Sequence, residues 1–447
     1  MFNMLSLIEN KQQKNTHKKL NLREIEKYYK EDKKEFLIGL EYERLSLDKK
    51  TLKNAPYESL EKIIKHFASI SSWELICDNK TIIGAFDSDG TSISLEPGCQ
   101  LEISFAPKKD IFSIQSRAEK IIKLLDKIAD VYNVVFVGYG ISPVSLPDDI
   151  ELLEKRRYQI MNNYMPKCRY GELAPKMMRQ TAGIQINIDY KDSNDAFLKL
   201  KFFNLIMPFM MGLCANSPFE ANKMSDKTSL RANVWRYTGQ ERCNCFYKNI
   251  FKGVLASKNI FKNYISEILN VPMIFIERDN KMIEFSGKIN FKEFLKYGYK
   301  AHQATMEDYI LQQSLCFPDV RLKKYIEIRN HDSSDIEMAL SLCAFYKGLS
   351  NCDIKKVLSK LEFLKLEKIE EYNKEIIFKG LNYRINNKID GWSVVATLFR
   401  YAKANLSARE RVYLEPILNI LKTRKTKADL IIDADIKTAK ELIQFLY

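Results

Sequence analysis

Several ingredients of common protein classes are missing from this sequence. It has no run of about 18 consecutive apolar residues, the length a membrane-crossing helix needs, so no transmembrane helix is expected. The N-terminal MFNMLSLIENKQQKN lacks a basic stretch, an apolar core and a small-residue cleavage site in that order. It reads as unprocessed, and the expected location is cytoplasmic. Histidine is scarce: the four at 17, 66, 302 and 331 fall in no ligand spacing. The nine cysteines are odd in number and form no CxxC pair, so reduced thiols are expected rather than a disulfide framework or a zinc cage. The closest pair, Cys243 and Cys245, is a CxC, which is weak evidence for zinc. There is no GxxxxGK[ST] phosphate loop. The GYG of VVFVGYGISP is not followed by a third glycine opening a helix, so it is no dinucleotide fingerprint. Internal repeats and low-complexity tracts beyond the polar N-terminus are also lacking.

What is present is a chain able to bury a large core, with 46% hydrophobic and 11% aromatic residues in 447. The net charge of +14 comes from lysines spread along the chain, with modest clusters at Lys11 to Lys19 and Lys422 to Lys427. No basic stripe interleaved with aromatics stands out. The surplus therefore reads as a solvated surface, part of it available to a small anionic substrate, and not as a nucleic-acid surface.

Helical periodicity marks 57–70, 113–131, 151–170 and 194–214, and most of the chain after 335. Met207, Met210 and Met211 read as core. Alternation marks strands in FLIGLEYERLSL, SLEPGCQLEIS, TAGIQINIDY and RLKKYIEIRNHD, and VVFV reads as a buried strand. Strands set among distributed helices imply an α+β fold with an antiparallel sheet. The expected divisions are a polar helical segment at 1–34, a main α+β unit at 35–350, and a helical region at 351–447 packed on it.

Four strands share an unusual face. Glu41 and Glu43 are two residues apart, as are Glu327 and Arg329; Gln185, Asn187 and Asp189 alternate with isoleucines. In SLEPGCQLEIS, Glu96, Gln100, Glu102 and Ser104 lie opposite Leu95, Leu101 and Ile103. A solvent-facing sheet would also show polar residues at period 2. Glutamate, however, is depleted in strands, and carboxylates crowded on one face repel unless cations lie between them. Hard divalent ions such as Mg²⁺ take oxygen ligands and bind phosphates. The face therefore suggests a Mg–nucleotide site.

The segments IGLEYER (38–44), SLEPGCQLEIS (94–104), MMRQTAGIQINIDY (177–190), ANSPF (215–219), SLRANVW (229–235) and FPDVRLKKYIEIRNHD (317–332) together resemble the plant- and proteobacterial-type glutamate–cysteine ligases. The resemblance runs from about residue 20 to the C-terminus. It implies a glutamine-synthetase-like antiparallel β-sheet funnel with surrounding helices. It also implies an ATP-dependent joining of the L-glutamate γ-carboxylate to the amine of L-cysteine through a γ-glutamyl phosphate, the first step of glutathione synthesis. By resemblance, Glu41, Glu43, Glu96, Glu102 and Glu327 are candidate Mg²⁺ ligands, and Gln185, Asn187 and Arg329 contact ATP. Arg329 would stabilise the transferring phosphoryl group. Arg179 and Arg231 would hold the α-carboxylate of glutamate, Arg231 also serving in catalysis, with Thr181, Asn216 and Trp235 lining the pocket. The implied partners are L-glutamate, L-cysteine and ATP, with no nucleic acid or membrane, in a monomer or homodimer.

Two positions depart from the family pattern. Cys99 stands where plant-like members have glycine, and its backbone is expected at an angle that a non-glycine residue adopts. Gly239 replaces the aspartate before Arg242, which opens the alternative of a sister γ-glutamyl ligase with a different acceptor amine.

Overall fold

The computed structural model describes residues 20–30, 35–243 and 247–446. Of the polar helical segment expected at 1–34, residues 1–19 and 31–34 lie outside them, as does Cys245.

The strands assemble as the alternation implies. β1 is Ile38–Asp48, β2 Glu74–Asp78, β3 Thr81–Phe86, β4 Ser92–Leu95, β5 Leu101–Ser104, β6 Val134–Val137 and β7 Gly183–Ile188. Two short hairpins follow, β8 (Phe219–Glu220) with β9 (Lys223–Met224) and β10 (Phe275–Arg278) with β11 (Lys281–Glu284). The last two strands are β12 (Val320–Leu322) and β13 (Ile326–Asp332). The main sheet has nine strands in the order β12-β13-β7-β1-β5-β4-β3-β2, with β6 pairing the second half of β1. Its pairs are antiparallel, so the fold is α+β as expected.

Register explains the two faces. Ile184, Tyr42, Ile103 and Ile93 are opposed across four strands, and Ile328, Ile186 and Leu40 across three. Because side chains alternate, these rows form a continuous apolar face. The helices Ser193–Leu213 and Ile336–Asn351 cover it, and Gly391–Ala404 packs behind the latter. Helix Ser193–Leu213 has the length and apolarity of a membrane span, but 83% of that window is buried inside the fold. It is a core helix, and its three methionines are buried in it.

Caps set the helix starts. Asp110, Asp335 and Asp390 accept from Ser113 N (2.8 Å), Met338 N (2.7 Å) and Ser393 N (2.9 Å). The stretch 151–170 is less helical than its pattern suggests: the α-helix covers only Arg156–Tyr164, followed by a 3₁₀ turn at Met165–Lys167. Pro166 ends it by withholding an N–H.

Candidate active site

The other face of the sheet is polar, and register builds it row by row. Glu41 lies between Gln185 and Ser104; Glu43 is opposite Glu102, which is opposite Ser94; Glu327 is opposite Asn187 and Arg321. Asn187 donates to Glu41 Oε1 (2.9 Å), and Gln185 donates to Glu43 Oε1 (2.8 Å). The Gly183 N–H donates to Glu43 Oε2 at 2.6 Å, and Ser104 Oγ to Glu102 Oε1 at 2.7 Å. Glu41 Oε2 is buried without a hydrogen-bond partner.

The electrostatics divide these carboxylates. Burial, then Glu41, Glu96 and Glu43, hold Glu102 well above the usual carboxylate range. Burial also pushes Glu43 up to about 7, with Glu96 adding to the rise and Arg231 and Arg329 opposing it. Glu327 is different. Burial alone would raise it, but Arg321, Lys323 and Arg329 pull it well below 4.5. Arg321 grips both its oxygens, Lys323 Nζ is 3.0 Å away, and Arg329 is 3.3 Å away.

β13 carries an extra residue: Ile328 pairs with Ile186 but His331 with Ile184. This bulge lets Arg329 reach Gln185 Oε1 as well as Glu327.

A cleft opens over this face. Glu43, Glu96, Glu102, Gln185, Arg329, Thr181 and Trp235 line it. Arg231 is buried beneath. It donates to Arg329 O at 3.1 Å, while its Nε and Nη1 have no partner. The neighbouring Trp235 ring, 5.8 Å from the guanidinium carbon, also has an unpartnered Nε1. Arg231 can lie there because residue 183 is glycine: a Cβ at 183 would be 2.3 Å from Arg231 Nη2.

Other expected residues are placed elsewhere. The Arg179 guanidinium donates to Pro147 O (2.8 Å) and Asn162 Oδ1 (3.0 Å), and is not brought to the cleft. Asn216 bridges the main chain, donating to Ser333 O (2.9 Å) and Gly138 O (3.2 Å). Thr181 does line the cleft, but its Oγ1 donates to Met177 O at 2.8 Å. Conversely, Lys155, Arg157 and Tyr158 line the cleft and were only part of a helical pattern in the sequence. Burial, aided by Arg157, pulls Lys155 down to about 8. The clustered charge of KRRY was the available signal.

The turn in SLEPGCQLEIS is a three-residue hairpin loop. Cys99 N donates to Glu96 O at 2.8 Å and Glu96 N to Gln100 O at 2.9 Å. Such loops place their third residue in the left-handed region, and Cys99 has φ +63°. Cysteine thus occupies a left-handed conformation that a non-glycine residue can adopt but that glycine adopts more easily. Gln100 is structural. It accepts from Gly98 N (2.9 Å) and donates to Thr181 O (2.9 Å), clamping the turn to the segment after helix Ala174–Gln180.

With this geometry in place, comparison with known proteins is decisive. The sequence profile of glutamate–cysteine ligase family 2 matches residues 37–434. The chain belongs to that family. It is 31% identical over 322 residues to the chloroplastic glutamate–cysteine ligase B of Oryza sativa subsp. japonica, covering 71% of this chain and 63% of the rice protein. Against the chloroplastic enzyme of Nicotiana tabacum it is 28% identical over 409 residues, covering 90% and 76%. The chain thus spans a little under two thirds of the rice relative and about three quarters of the tobacco one. A glutamate–cysteine ligase from Francisella tularensis, solved in complex with AMP, shares the fold: TM-score 0.57, 12% identity, 90% of this chain and 85% of that one. The expectation of a cytoplasmic protein is corrected by these relatives, which are named as chloroplastic enzymes.

The departure at Gly239 has a local cause. Gly239 has φ +122°, where an aspartate would be strained. Arg242 is buried and donates to Leu315 O at 3.0 Å and to Pro272 O. Residues 236–242 do not line the cleft.

Proposed function

We propose that this protein joins the γ-carboxylate of L-glutamate to the amine of L-cysteine at the expense of ATP. The observation that carries this reading is the cleft. It sets Glu43, Glu96 and Glu102 beside Arg329 and Gln185, above a buried Arg231 with two unpartnered donor nitrogens. Arg231 Nε and Nη1, with Trp235 Nε1, hold a substrate carboxylate in a water-poor place where a charge-assisted bond is strong. This assigns to Arg231 the grip first shared with Arg179, whose guanidinium is engaged elsewhere. Thr181 and Asn216 shape the pocket through the main chain they tie down.

Activation begins when a γ-carboxylate oxygen of glutamate attacks the terminal phosphorus of ATP and ADP leaves. Arg329, beside the cleft floor, stabilises the negative charge of the transferring group. The acceptor nitrogen then attacks the γ-carbonyl carbon. The carbon–oxygen bond to phosphate breaks, phosphate departs with that oxygen, and the amine loses its proton. Gln185 contacts the nucleotide, whereas Asn187 does not line the cleft and instead positions Glu41 through its amide.

The donors fit Mg²⁺. Glu41 has a buried oxygen without a partner, and Glu102 faces three other carboxylates with no cation bonded to it among the described residues. Among the described residues no three His, Cys, Asp or Glu side chains form a ready metal cage. That suits an ion that keeps its waters and takes phosphate oxygens as ligands. Glu41, Glu43, Glu96 and Glu102 would hold it; Glu327 joins them only by releasing one of its three cations. When bound, Mg²⁺ supplies neutralisation of the phosphate oxygens.

The test is ADP release with glutamate, Mg–ATP and a panel of amines. Cysteine-dependent turnover is expected. Its absence refutes the reading, and preference for another amine favours the sister ligase.

A further inference from the structure

We propose that Asp332 is a positioning residue for substrate binding: it fixes the two loops that set Arg231 beneath the cleft and Trp235 in its wall. The proposal rests on the reading that Arg231 holds the carboxylate of glutamate.

Asp332 ends β13 and is 1% exposed. A buried carboxylate needs several donors, and all of those found here come from the two loops. Oδ2 accepts from Asn216 N (2.9 Å) and Ser217 Oγ (2.6 Å), both in ANSPF. Oδ1 accepts from Ser229 Oγ at 2.9 Å. Ser229 is also the N-cap of helix Leu230–Arg236, accepting from Ala232 N at 3.0 Å. Ser217 Oγ in turn accepts from Arg231 N at 3.2 Å.

Asp332 thus reaches the helix that carries Arg231 and Trp235 through its first residues, by two serines. The main chain agrees: Leu230 N donates to Ser217 O at 3.0 Å. The place is built without slack. A Cβ on Gly140 would lie 2.8 Å from Asp332 Cγ and 2.9 Å from Ser217 Cβ. The oxygens of Asp332 are taken up by the two loops, so it acts on substrate through the placement of Arg231 and Trp235. Asp332 and Arg231 also attract each other electrostatically, so the carboxylate helps keep a buried guanidinium charged without occupying its free N–H groups.

The test compares Asp332→Asn, Ser217→Ala and Arg231→Ala by steady-state kinetics for each substrate and by melting temperature. Asp332→Asn is expected to raise the KM for glutamate at least about tenfold, the size of one lost charge-assisted interaction, with the KM for ATP within about twofold. Ser217→Ala should shift glutamate KM the same way by about threefold, and it decides the matter if Asp332→Asn fails to fold. A folded Asp332→Asn, or otherwise a folded Ser217→Ala, with unchanged glutamate KM overturns the proposal. So does an equal rise in the KM of every substrate. If Arg231→Ala also leaves glutamate KM unchanged, the reading of Arg231 has failed; if only Arg231→Ala raises it, the role of Asp332 has.

Discussion

Replacing Glu43 by glutamine in the metal-free protein should change stability in a pH-dependent way. Burial lifts Glu43 from 4.5 to about 7, so the folded chain holds this proton more tightly than the unfolded chain does. Stability therefore falls as pH rises from 4.5 to 7, and the cost is complete above about 7. At about 1.36 kcal/mol for each pKa unit, the rise corresponds to about 3 kcal/mol, which water on the open side of the cleft reduces to about 2. Glutamine removes this cost but cannot accept from both Gly183 N and Gln185 Nε2, a loss of about 1–2 kcal/mol at every pH. Below pH 5 the variant should be the less stable protein. Between pH 5 and pH 8 the difference should move by about 2 kcal/mol in its favour. For 447 residues the unfolding entropy makes that about 2 °C in Tm. Melting curves in EDTA at the two pH values measure it. A gap between variant and parent that is the same at both pH values would refute the buried, crowded state assigned to Glu43.

Three further outcomes follow from the same geometry. Glu102→Gln should lower Mg–ATP-dependent kcat by at least about a hundredfold with an unchanged circular dichroism spectrum, and near-normal turnover would remove Glu102 from the site. Gly183→Ala puts a Cβ 2.3 Å from Arg231 Nη2 and 2.8 Å from His331 O. It should raise glutamate KM at least about tenfold and lower Tm, whereas wild-type kinetics would mean that Arg231 is not held there. Cys99, its thiol pushed up to about 12 by burial, should resist iodoacetamide at pH 8 in the folded protein. Cys99→Val should lose about 1–2 kcal/mol for a branched residue at φ +63°, and Cys99→Gly should lose less; rapid labelling or the reverse order of stability would count against this backbone assignment.

The polar face could be read from sequence because strand alternation does not depend on neighbours: Glu41 and Glu43, or Gln185 and Asn187, share a side wherever their strand sits. The neighbours themselves could not, since the order β13-β7-β1-β5 joins strands far apart in the chain. Nor could the fate of Glu327, which depends on Arg321 across a strand pair and on a bulge that re-aims Arg329. The pattern of VRL, a cation between two apolar strand residues, was the faint sign of Arg321 facing the same way. Arg179 and Arg231 looked equivalent as sequence. They differ because Pro147 O and Asn162 take one guanidinium, while Gly183 leaves room for the other under the cleft. Lys155 and Arg157 were hidden in a helical pattern whose periodicity says which side is buried, not that this side faces a cleft.

The most direct test of the central claim follows oxygen. Glutamate carrying ¹⁸O in both γ-carboxylate oxygens is incubated with the protein, cysteine and Mg–ATP, and the released phosphate is examined by mass spectrometry. Activation through a γ-glutamyl phosphate predicts one ¹⁸O in each phosphate formed. Phosphate released in step with γ-glutamylcysteine but carrying no ¹⁸O would contradict the account.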